Sequence, residues 1–333
     1  MCQNRPPCCE VERGEVMKKT WYLIIGVVLL VIGCIAYGYH EHHTPKTAQE
    51  LKTVRVAYLP ITHALPVFAT KELETADGPV HVELVKYGSW PELMDALNTG
   101  KVDAASVLVE LGVKAREQGI DVRAAALGHT EGNIIIVNKD INSVQDLKGK
   151  SFAIPHKQST QKILVDCMLE QAGLSEKDVQ IVEMSPPEMP SALSVGQIAG
   201  YSVAEPFGSL ALEMGTGKVF EDPDHLWHDN ICCALVFNGQ FVDEHHDLAK
   251  AFTKAYLDAG TYLDEHPKAQ EEISSKYMKF NDSVIERSLK VIGFKDLALT
   301  EDRYNALVHH MTHIDLIKKV PTYSEFVDTS LLP

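Results

Sequence analysis

Ser159 and Thr160 close a polar loop, His156-Lys157-Gln158-Ser159-Thr160, which leads from the short run Ser151-Phe152-Ala153-Ile154-Pro155 into a helical pattern over 161–172 ended by Gly173-Leu174. Serine and threonine hydroxyls are strong helix N-caps, and the free N–H groups of a first helical turn point the same way. A buried strand that feeds a helix N-terminus through a short polar loop can hold an anion. The same residues also read as an ordinary capped helix of an α/β domain.

Other residues invite chemistry and give less. His309, His310 and His313 include an i, i+4 pair of metal-ligand spacing. No glutamate follows the first histidine, and Met311 and Thr312 add no third ligand, so a surface histidine face is expected. Cys232-Cys233 sit in an apolar run and are expected to pack in the core, as is Cys167 on the apolar face of its helix. None of the seven cysteines makes a Cys-x-x-Cys pair, which argues against a zinc knuckle. There is no serine-centred elbow, no phosphate-binding loop and no Gly-x-Gly-x-x-Gly. No metal, cofactor or catalytic residue is expected.

The elements that position these residues alternate. Strands are expected over 54–59, 81–87 and 103–107, with helices over 64–72, 92–98 and 109–118 between and after them. Pro91 suits the first helical position, with Ser89 or Trp90 at its cap. Alternation of this kind makes a parallel, doubly wound sheet, whose ligands meet the loops at the strand carboxyl ends. His63, Ser89, Trp90 and Ser106 all fall there. Strands over 122–127 and 133–138 flank Gly128-His129-Thr130-Glu131-Gly132. The segment Gly200-Tyr201-Ser202-Val203-Ala204-Glu205-Pro206 follows further on, then strands over 218–220 and 234–237 and long helices over 245–265, 267–280 and 301–317.

Asp146-Leu147-Lys148-Gly149-Lys150, a short strand, a proline, a polar loop and a helix together resemble the second-lobe signature of periplasmic-type substrate-binding proteins. Within them the chain is similar to the nitrate/sulfonate/taurine branch of ABC-importer receptors, over most of the stretch from about Thr53 to about Pro267. The resemblance implies an α/β, periplasmic-binding-protein-like (type II) fold: lobe I over 51–129 and 208–333, lobe II over 130–207, and a ligand cleft between them.

Leu59-Pro60-Ile61-Thr62-His63-Ala64-Leu65-Pro66 and Gly88-Ser89-Trp90-Pro91 look like the nitrate and bicarbonate receptors of that branch, which places Ser89 and Trp90 against an anion. Trp90 also reads as a core aromatic. His63 departs from the acidic residue those receptors carry near this point. Thr130 lies on the first crossing between lobes. Tyr201 and Glu205 lie on what resembles the return crossing, where Glu205 would either accept a hydrogen bond from a substrate or hold the hinge through backbone N–H groups. With Gln158, Ser159 and Thr160 these complete the expected binding set.

The resemblance further implies a monomeric receptor that closes on a small anion and docks on a permease driven by a separate ATPase. Alternatives are a receptor for a thiamine pyrimidine or other aromatic solute, a sensor, or a pyrimidine synthase-like enzyme on the same fold. That enzyme family carries several closely spaced cysteines, whereas only two stand together here.

The formal charge of −15 argues against nucleic acid and anionic membrane surfaces as partners, and leaves any anion to be held by local N–H groups. Lys18-Lys19 precede an uncharged run over 20–39 that contains Val31-Ile32-Gly33-Cys34. This reads as an export signal over 1–33 whose Cys34 resembles a lipidated bacterial lipobox cysteine, with Met17 as the expected start. A plain membrane span is the alternative. Either way the body is tethered on the extracytoplasmic face. Residues 34–50, with His40, His42 and His43, read as a solvated linker.

Overall fold

The computed structural model describes residues 52–333. The export signal, Met17, Cys34 and the histidine-bearing linker lie outside the described residues. Among the described residues no helix is long and apolar enough to cross a membrane.

The first half of the chain alternates as expected. It runs β1 (Thr53–Tyr58), α1 (Leu65–Glu72), β2 (His81–Lys86), α2 (Trp90–Asn98), β3 (Ala104–Leu108), α3 (Val109–Glu117), β4 (Val122–Leu127) and the two-residue β5 (Thr130–Glu131). Next come β6 (Asn133–Asn138), β7 (Ser151–Ile154), α4 (Thr160–Gln171), β8 (Gln180–Glu183), α5 (Met189–Ser194) and β9 (Gly200–Ala204). They are followed by α6 (Phe207–Glu213), β10 (Gly217–Glu221), α7 (Pro223–Leu226), β11 (Cys233–Asn238) and α8 (Gly239–Glu244). The chain finishes with α9 (His246–Glu265), α10 (Pro267–Tyr277), α11 (Asp282–Leu289), β12 (Ile292–Gly293), α12 (Glu301–His313) and α13 (Tyr323–Phe326).

Two five-stranded sheets form two lobes. The first has the order β2-β1-β3-β11-β4 and the second β10-β6-β9-β7-β8. Every residue of β3, β9 and β11 is buried. These strands are covered on both faces, which is why they read as continuous apolar runs without alternation. In the first sheet β1 pairs parallel with β2 and β3, while β11 runs antiparallel to both β3 and β4. The carboxyl ends of β1, β3 and β4 therefore share one rim with the start of β11.

The place of β10 differs from expectation. It pairs antiparallel with β6 at the edge of the second sheet, and α6 packs on α5 and β10. The second lobe thus runs on to Glu221, and the chain rejoins the first sheet only at Cys233, not directly after Pro206. Short alternating strands such as Lys218-Val219-Phe220 fit either sheet, and only the long-range pairing decides.

The lobes are laced together at the hinge. The Thr62 N–H and hydroxyl both donate to the Glu205 carbonyl, at 3.0 and 2.9 Å. The Glu205 N–H donates to the Gly132 carbonyl at 3.2 Å. Gly132 sits at φ +82°, a conformation glycine adopts without strain, and a side chain there would press on Ile292 and His63.

Candidate functional site

Four residues from three stretches of chain converge on the shared rim. His63 lies in a 3-10 turn, Thr62–Ala64, just past β1; His129 lies just past β4; Cys232 and Cys233 enter β11. Their ligand atoms all lie within 4.8 Å of one another, and all four residues are buried. The backbone clamps the two cysteines. The Cys232 carbonyl accepts from the Val109 N–H at 2.8 Å and the Cys233 carbonyl from the Gly128 N–H at 2.7 Å. Both thiols are free. They are buried as the apolar run suggested, and they lie beside the two imidazoles.

The ring nitrogens are differentiated. His63 Nε2 lies 2.9 Å from the Gly132 carbonyl, to which it can only donate, and this leaves Nδ1 unprotonated in the neutral ring, 3.5 Å from Cys233 Sγ. The His129 ring lies 3.6 Å from that of His63, centroid to centroid. Neither His129 nitrogen meets a partner in hydrogen-bonding geometry, although the Cys232 thiol is beside it. Burial and the neighbouring His63 hold His129 down to about 4, so it is neutral at physiological pH. Burial alone would raise Cys232. The Cys233 hydrogen bond and the two imidazoles outweigh it and bring Cys232 well below the ordinary thiol range. Burial and the charge of Cys232 push Cys233 up.

The second lobe closes over this cluster with α4. Ser159 is the N-cap: its hydroxyl accepts from the Lys162 N–H at 3.1 Å and donates to the His156 carbonyl at 2.6 Å. Thr160 crosses to the first lobe and contacts the Glu110 carboxyl and the Ile231 carbonyl, the latter at 2.6 Å. One hydroxyl proton cannot serve both. Burial, then the nearby Cys232, raises Glu110 well above the usual carboxylate range. A protonated Glu110 donating to Thr160, which donates to Ile231, satisfies every atom except Glu110 Oε2, which has no partner. Gln161 Nε2 donates to Asn133 Oδ1 at 2.7 Å and approaches Cys232 Sγ at 3.4 Å. A cavity of about 460 Å³ opens beside this network, lined in part by Gly132, Asn133 and Asn230.

The other expected site residues fall as follows. Ser106 is buried in β3 opposite Leu235, two residues from the Leu108–Cys233 pair and so on the same sheet face as Cys233. Ser89 caps α2 without a side-chain cap bond. Trp90 is buried in the first-lobe core with Nε1 unpartnered. Thr130 pairs with Gly293 in the two-stranded β5–β12 ribbon, and the Gln158 N–H donates to His156 Nδ1. Tyr201 is not at the cluster: it is fully buried in β9 and its hydroxyl donates to the Phe207 carbonyl. The Glu205 carboxylate accepts from the Ser209 N–H and hydroxyl, both at 2.9 Å. Pairing with a backbone N–H is the kind of bond expected of the hinge-holding role.

His129 is the residue that sequence reasoning passed over. Its signal was available, because it directly follows a strand ending on the same rim as His63. The His309–His313 set makes no comparable cluster among the described residues. His310 packs on Trp227 and His313 reaches Glu170.

The profile of the NMT1-like family matches residues 47–277. The chain belongs to the NMT1-like family. Among solved structures it is similar to the ligand-binding component of an ABC-type import system from Staphylococcus aureus with zinc bound. The two are 35% identical with a TM-score of 0.80, covering 84% of this chain and 97% of that one. It is 29% identical over 212 residues to the taurine-binding periplasmic protein of Escherichia coli, covering 62% of this chain and 65% of that protein. It is 25% identical over 239 residues to the nitrate import ATP-binding protein NrtC of Synechocystis, covering 65% of this chain. The match spans only 36% of NrtC.

Proposed function

We propose that this family member is the extracytoplasmic solute receptor of an ABC importer, lipid-anchored through Cys34, which captures a small solute by closing its second lobe on the first. The observation that carries the reading is the Thr160–Glu110–Ile231 bridge, where the N-terminus of α4 in one lobe meets the carboxyl rim of the other sheet. Closure is favoured by a ligand only through contacts that the open form lacks, and this meeting point is where such contacts arise. Partners would be a permease and a separate ATPase, and the receptor carries out no reaction of its own.

The relatives' names support a small anion of the taurine or nitrate kind as cargo. Such an anion would rest on the N–H groups at the start of α4, because Lys162, in the first turn of that helix, is engaged by Asp166 and Glu176. The zinc named for the Staphylococcus aureus protein puts zinc in the same ligand panel. Calorimetric titration of the purified chain with taurine, alkanesulfonates, nitrate, bicarbonate and zinc tests the reading. One-to-one binding of a panel member supports it, and no binding to any refutes it.

A further inference from the structure

We propose that His63, His129, Cys232 and Cys233 form a tetrahedral site for one thiophilic metal ion of the Zn²⁺ class, which the closing second lobe encloses. Three observations carry the assignment. The first is spacing. A tetrahedral zinc with bonds of about 2.3 Å to sulfur and about 2.05 Å to nitrogen sets its ligands about 3.8 Å apart for S–S and about 3.6 Å for N–S. The Cys232 and Cys233 sulfurs lie 3.8 Å apart, and Cys233 Sγ lies 3.5 Å from His63 Nδ1. The second is the orphaned imidazole. His129 is only 2% exposed and neither of its nitrogens makes a hydrogen bond of good geometry, although the Cys232 thiol and the Glu131 backbone lie beside it. A buried polar ring without a well-formed hydrogen bond is costly, and a metal–nitrogen bond would satisfy it.

The third is the surrounding support. The His63 Nε2–H on the Gly132 carbonyl fixes the ring and its tautomer with Nδ1 facing the sulfurs, as metal-bound histidines are ordinarily held. Gln161, from the second lobe, points an amide N–H at Cys232 Sγ, a bond that strengthens to a thiolate. Two thiolates and two neutral imidazoles around a divalent cation carry no net charge, so the filled site can be buried without a further counter-ion. Thiolate ligands select zinc and similar ions over magnesium or calcium. The metal as cargo rests on the receptor reading; the metal site itself does not.

The test uses the full chain, reduced and stripped with a chelator, and titrated with Co²⁺ as a spectroscopic probe and with Zn²⁺ against a chromophoric chelator. The expected result is one ion per chain, with thiolate-to-cobalt charge-transfer bands and the intense visible bands of a tetrahedral site. Cys232→Ser with Cys233→Ser should abolish the charge-transfer bands, and His129→Ala should weaken Zn²⁺ binding at least 100-fold. Far-UV circular dichroism checks that each variant is folded. Replacing His40, His42 and His43 together by Ala should change nothing. Loss of binding in that linker variant, or bands that survive in the double serine variant, would overturn the assignment. So would the absence of stoichiometric binding in the reduced wild-type chain. Taurine and nitrate titrations on the stripped protein report the receptor reading separately, so a failed metal site does not pass for a failed receptor.

Discussion

Ser159→Ala and Thr160→Val separate two tasks performed by adjacent hydroxyls. Ser159 works within its own lobe, capping α4 through Lys162 N–H and tying down His156. Its loss should lower stability to urea by about 1 kcal/mol, the ordinary worth of a serine N-cap, and leave lobe closure unchanged. Thr160 works between lobes. Valine keeps its shape but removes the donor to the Ile231 carbonyl and the acceptor for Glu110, which is fully buried. Leaving a buried polar group without its partner costs about 1–3 kcal/mol. Because the loss falls on the closed form alone, the closed-to-open ratio should drop about 5- to 150-fold. Small-angle scattering should show a larger radius of gyration for Thr160→Val than for wild type, and ligand affinity should fall by a similar factor. A Thr160→Val protein as compact as wild type, with affinity within twofold, would refute the reasoning. So would a Ser159→Ala protein that opens just as far.

Three further outcomes are expected. Glu117 is held down to about 2, chiefly by Lys114 and then by the Lys319 and Lys318 N–H groups. Its folded value lies below the unfolded one, so its contribution is present above about pH 4.5 and is lost as pH falls through about 2. The full shift would be worth about 3 kcal/mol, reduced by solvent screening to about 1–2 kcal/mol. Glu117→Gln should cost that much in urea denaturation at pH 7, and the gap to wild type should narrow steadily toward pH 2. Gly200→Ala places a methyl 2.7 Å from the Phe152 ring and 2.8 Å from the Ile136 carbonyl, and should cost about 1–3 kcal/mol of stability measured by thermal unfolding. Cys34→Ser should release the protein from membranes in a fractionation assay; persistent membrane association would favour a spanning anchor.

The strand–helix alternation of the first half was legible because strands covered on both faces leave continuous apolar runs whatever the direction of their neighbours, as in Ala104–Leu108 and Asn133–Asn138. The cap of α4 was legible because capping is local, a serine three residues from the N–H it accepts. What is not local was harder to read. The pairing of β10 with β6 joins residues about eighty positions apart, and nothing in Gly217–Glu221 names its partner strand. The His–Cys cluster shows the same limit: Cys233 and His63 are 170 residues apart in sequence, so no motif spacing links them. Once β11 is known to run antiparallel between β3 and β4, its first residues must meet the ends of their neighbours. Without that topology, two adjacent cysteines in an apolar run read as core.

On the proposed reading, the two lobes enclose a solute at the Thr160 meeting point. The most direct measurement is calorimetric titration of the full chain in detergent with taurine, alkanesulfonates, nitrate, bicarbonate and zinc, repeated on Thr160→Val. One-to-one binding of a panel member that weakens at least fivefold in the variant is expected. Binding of equal strength in both proteins, or no binding in either, would contradict it.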